Sequence, residues 1–104
     1  MDAQAQKVLD FWFLPPDHAD FGQSRMEWFR KDDGFDAQIR ARFGALIDAA
    51  IEGGLRAWDA TPHGALARLI VIDQFTRNVY RGTPRAFAGD AQALALALSM
   101  TQQG

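Results

Sequence analysis

Six polar side chains crowd the stretch from residue 73 to residue 85: Asp73, Gln74, Arg77, Asn78, Arg81 and Arg85. Arg77 and Arg81 are four residues apart, so on a helix they share a face, and Arg85 follows just after. Guanidinium groups grip carboxylates and phosphates through paired N–H donors. One reading is therefore a ligand site for a small anionic compound, acidic or phosphorylated, as an enzyme or a binder would carry. The other reading is structural. Asp73 pairs with Arg77 inside the domain, and Gln74 and Asn78 satisfy loop backbone groups. Asp73 and Arg77 also continue the line of Leu66 and Ile70. That points both charges along a core-facing line and predicts an ion pair partly shielded from water.

Other chemistry is sparse. His18 and His63 are the two histidines, and neither belongs to a His-x-x-x-His or Glu-x-x-His pattern, so no metal site is expected. Ser24 and Ser99 lack the strand–turn–helix setting of a nucleophile. The glycines form no phosphate loop, because no strand precedes them. The absence of cysteine excludes disulfides, thiolate nucleophiles and cysteine-type zinc sites. No cofactor is expected. Phe11, Trp12, Phe13, Trp28 and Phe29 read as core, with a ligand pocket as the alternative.

The polar cluster must be positioned by helices. The run from Leu66 to Gly82 is the most apolar in the chain. On a helical wheel Leu66, Leu69, Ile70 and Tyr80 fall on one side, and Val71, Ile72, Phe75 and Val79 on the other. A helix apolar all round is buried over most of its circumference, so this is the central helix, with Ile70, Ile72 and Phe75 in the core. Thr61-Pro62 marks its start as an N-cap followed by proline in the first turn. Before it, Ala5, Val8, Leu9 and Trp12 make the stripe of a first helix that Pro15-Pro16 ends. Ser24-Arg25-Met26-Glu27 has the form of a capping box. Phe35, Ile39, Phe43, Leu46, Ile47 and Ala50 form the apolar face of a long helix. Asp33 can cap that helix, an Asp36–Arg40 pair supports it, and Gly53-Gly54 stops it. Asp90 can cap a last helix, in which Ala91, Leu94, Ala95 and Leu98 form the packing stripe and Leu96 points elsewhere. The expected helices are 3–13, 25–30, 36–52, 62–80 and 90–101, with no sheet, in a single helical domain over residues 1–104.

Composition bounds the function. With 104 residues, 48% hydrophobic, and a formal charge of −2, the chain suits one folded domain. A nucleic-acid binder is usually basic, so that partner class is disfavoured. No apolar run approaches the ~20 residues that span a bilayer, and no secretory signal is seen, so a soluble cytoplasmic protein without membrane partners is expected.

Three segments resemble the bacterial family known as domain of unknown function 924. They are Val8-Leu9-Asp10-Phe11-Trp12-Phe13, then Trp28-Phe29-Arg30-Lys31-Asp32 with Phe35-Asp36 and Ile39-Arg40, then Asp73 to Gly82 followed by Ala86-Phe87 and Asp90. The resemblance implies an all-α fold of antiparallel helix pairs, similar to the α-α superhelix of tetratricopeptide repeats. It implies no activity. It implies a truncated domain, covering the N-terminal half to two-thirds of the family's length. Where the family usually has proline this chain has Thr76, which lets the helix continue. Two functions remain open: a tetratricopeptide-like interaction or scaffold domain for a protein partner, or an enzyme or small-ligand binder using the Asp/Arg/Asn cluster. With the cover of the last helix missing, an exposed apolar patch along residues 91–100 is expected, with self-association through it.

Overall fold

In the computed structural model, residues 2–15, 17–23 and 32–102 are described. Helix α1 spans Ala3–Phe13, and the Asp2 carboxylate caps it by accepting from the backbone N–H groups of Gln4 and Ala5. Helix α2 spans Asp33–Ile51. Its cap is Asp32, which accepts from the Phe35 N–H at 2.9 Å; Asp33, the expected cap, is already the first helical residue. Gly53 turns the chain out of α2 at φ +95°, a left-handed conformation that costs glycine nothing. A short 3₁₀ turn, Arg56–Ala60, carries the buried Trp58.

Helix α3 spans Pro62–Leu69, and the Thr61 hydroxyl accepts from the Gly64 N–H as the expected cap. The helix does not stop at Leu69. It widens into a π-helical segment, Ile70–Phe75, and then tightens into α4, Thr76–Val79. Thr76 therefore does let the helix run on. Its hydroxyl donates to the carbonyls of Ile72 and Asp73, at 3.0 and 3.2 Å, inside the widened turn. A 3₁₀ turn, Pro84–Phe87, leads to α5, Asp90–Gln102. All described elements are helical. The expected helix 25–30 lies outside the described residues. Among those described, no helix is long and apolar enough to cross a membrane.

The helix 62–79 is the hub. α1 packs on α3, α2 on the π segment and α4, and α5 on α3 and the π segment. Ile70, Ile72 and Phe75 are buried as expected. Phe75 is fully enclosed, with the Phe43 ring stacked on it at 5.2 Å and Trp12 edge-on at 5.8 Å. Such an aromatic junction joins α1, α2 and the hub by both area and ring geometry.

One helix face differs from expectation. The residues of α5 that enter the core are Ala93 and Leu96, while Leu94 and Leu98 are 63% and 55% exposed. Every position from 91 to 98 except Gln92 is Ala or Leu, so periodicity does not select a face. Tertiary contacts do. Gly89 lies so close to the Ile72 carbonyl that a Cβ there would overlap it. Gln92 reaches the carbonyls of Ala50 and Ile51, at 3.2 and 3.0 Å. These two contacts set the rotation of α5 and turn Leu96 inward.

Candidate functional site

The cluster 73–85 begins in the π segment, runs along α4 and ends in the following turn. The structure does not gather its six side chains around one point. It distributes them over three places, each facing a different acidic residue.

Asp73 and Gln74 lie in the widened turn. The Gln74 amide donates to Asp73 Oδ2 at 2.6 Å, and Arg77 Nη1 stands 3.3 Å from Asp73 Oδ1. Arg77 Nη2 is also 3.2 Å from Asp90 Oδ1, at the start of α5. The expected Asp73–Arg77 pair therefore exists, but not on a core-facing line: the Arg77 side chain is 44% exposed. Widening the helix shifts every residue after Ile70 round the axis, so an extrapolation from Leu66 and Ile70 at the ordinary helical pitch fails. Asp73 and Gln74 line a cleft of about 290 Å³ beside Trp12 and Phe13 of α1.

One turn on, Asn78 and Arg81 face α2. The Asn78 amide donates to Asp36 Oδ1 at 2.8 Å, and Arg81 Nε donates to Asp36 Oδ2 at 3.2 Å. Asn78 is buried, and its acceptor is a carboxylate 42 residues away rather than a loop backbone group. Gln74 likewise serves a carboxylate. Asp36 being so occupied, the expected Asp36–Arg40 pair gives way, and Arg40 instead donates to the Val79 carbonyl at the end of α4. A cation there suits the helix C-terminus, where unpaired carbonyls concentrate negative potential.

Arg85 is held by Asp48 of α2, at 3.2 Å, and its guanidinium lies over the Tyr80 ring. The Tyr80 hydroxyl donates to the same Asp48 carboxylate. Together the Tyr80 hydroxyl and the Arg85 guanidinium hold the Asp48 carboxyl below the usual carboxylate value, while Tyr80 and then Asp48 raise that of Arg85.

Each of the three guanidiniums thus has a carboxylate within 3.3 Å. Four carboxylates meet the three guanidiniums, and the arrangement ties α4 and its turn to α2 and α5. It offers no nucleophile–base pair. Among the described residues no group of three His, Asp or Glu side chains could hold a metal.

The residue that sequence reasoning passed over is Arg68. It is 3% exposed, inside the apolar run. Its Nε and Nη2 donate to both oxygens of Asp59, at 2.9 and 3.0 Å, and its Nη1 donates to Gln92 at 3.3 Å. Gln92 passes the connection on to the last carbonyls of α2. The signal was present: an arginine between Ala67 and Leu69, in the most apolar stretch of the chain, requires a partner.

Residues 8–104 match the model of a family described as bacterial protein of unknown function, DUF924. No curated protein matches the chain significantly. A solved structure, that of the protein of unknown function ATU0120 from Agrobacterium tumefaciens, is similar, with a TM-score of 0.81 and 33% sequence identity. The match covers 98% of this chain and 53% of that one, so the chain spans about half the length of that relative.

Proposed function

We propose that the chain, which belongs to the DUF924 family of bacterial proteins, works as a tetratricopeptide-like helical interaction domain whose docking face is the outer side of α5. The observation that carries this reading is the stripe formed by Leu94 and Leu98, 63% and 55% exposed, with Phe87 at 61% just before the helix. Apolar side chains of this size in one row mark an interaction surface. The pairing of Arg77, Arg81 and Arg85 with carboxylates supports the same reading, since it leaves these cations committed within the fold.

The occupant that fits the stripe is a second copy of α5. Ala91, Leu94, Ala95 and Leu98 alternate small and large at helical spacing, so the leucines of one helix fit the alanine gaps of an antiparallel twin. No charged residue follows Asp90 in α5, so nothing on the stripe repels its copy. The test is sedimentation velocity from about 1 μM to 1 mM, the range of weak association. A reversible monomer–dimer equilibrium is expected. The Leu94→Asp/Leu98→Asp variant should stay monomeric with an unchanged helical circular dichroism spectrum, because both side chains are already in water. A monomer throughout, or an unaffected dimer in the variant, contradicts the proposal.

A further inference from the structure

A second cleft, of about 520 Å³, opens between α1 and the start of α3, away from the arginine cluster. Leu9 and Phe13 of α1 and Leu66 of α3 supply its apolar wall. Phe21 is set at its edge by the 17–23 loop, where Gly22, at φ +78°, donates its N–H back to the Phe13 carbonyl. The Phe21 ring is half exposed beside this wall. The volume lies within the range of small-molecule sites, which combine apolar walls with a few fixed polar groups.

The polar side chains lining this cleft are Gln6, Asp10 and His63, and Asp10 also borders a neighbouring cleft lined by Lys7 and Arg42. Asp36, Asp48, Asp59, Asp73 and Asp90 each face a guanidinium. Asp10, half-buried in the cleft wall, accepts a single hydrogen bond, from the neutral Gln6 amide to Oδ1 at 2.8 Å. No cation among the described residues is within ion-pair distance of it. Its other oxygen retains its acceptor capacity beside an apolar surface that shields charge from water.

We propose that this cleft binds a small organic cation, an ammonium or guanidinium head on an aromatic or alkyl body, with the head on Asp10 and the body between Phe13, Phe21 and Leu66. An organic anion would meet the Asp10 carboxylate and bind more weakly. A neutral analogue would gain the apolar contact alone.

Phenylpropylammonium and phenylpropionate share one body and differ in the sign of the head, so they are the probes for an amide NMR titration of the full chain. Saturable shifts confined to residues around Asp10, Phe13, Phe21 and Leu66 are expected with the ammonium. Its affinity should exceed that of the carboxylate by about tenfold, the worth of one charge-assisted hydrogen bond. Asp10→Asn keeps the shape and the acceptor for Gln6, and it should abolish the preference between the two heads. Leu66→Trp should fill the cleft and remove binding of both. Equal binding of both probes, an undiminished preference in Asp10→Asn, or no saturable binding of the ammonium would each overturn the proposal.

Discussion

Two sets of arginines behave differently in this fold. Arg68 is enclosed, donates through both arms of its guanidinium to Asp59, and is joined through Gln92 to the end of α2. Arg77, Arg81 and Arg85 are 41–44% exposed, and each approaches its carboxylates from water. The exposed set draws the eye in the sequence because it is dense and regularly spaced. Removing a partner from the enclosed one costs more, because an ion taken out of water has no substitute partner. Spacing advertises a cluster, and burial decides what it is worth.

Removing acceptors one at a time sharpens this contrast. Asp59→Ala leaves the Arg68 charge enclosed without its carboxylate, and the expected loss is about 3 kcal/mol, read as a shift in the urea midpoint. A loss below 1 kcal/mol would place Arg68 with the exposed set. Asp36→Ala comes next. It strands the buried Asn78 amide but leaves Arg81 to water, so about 1–2 kcal/mol is expected by the same measurement. Arg77→Ala removes two solvent-screened contacts and should cost less than about 1 kcal/mol.

The smallest effect belongs to Asp48. Its carboxyl is held low by Tyr80 and Arg85, so its contribution is present at neutral pH and is lost as pH falls below 3.8 through its folded value. Tyr80→Phe should be slightly less stable than the parent at pH 7, and the gap should close on acidification. A gap that widens in acid would reverse the assignment.

These outcomes bear on what the sequence made legible. The start of α3 at Thr61-Pro62 and the stop of α2 at Gly53 were readable because capping and left-handed turns are local chemistry. The burial of Ile70, Ile72 and Phe75 followed from an apolar run too wide for a surface helix. The face of α5 was not readable, since a helix of alanine and leucine is apolar in every direction. Its rotation is set by Gly89 against Ile72 and by Gln92 against α2. The cluster 73–85 was found as a set of residues, and its i, i+4 pair did form. Its other partners, Asp36, Asp48 and Asp90, are 42, 37 and 13 residues from the groups they bind, beyond any local rule. The π segment was equally hidden, and it turned Arg77 outward.

The central claim is that Arg77, Arg81 and Arg85 are committed to carboxylates within the fold. Titrating the chain with inorganic phosphate at constant ionic strength, while following the arginine Nε–Hε resonances and the melting temperature, tests it most directly. The account predicts no saturable shift at these three side chains and no specific stabilisation. A site-specific, saturable shift at Arg77, Arg81 or Arg85, with stability rising as the logarithm of phosphate concentration, would contradict it and make the cluster an anion site.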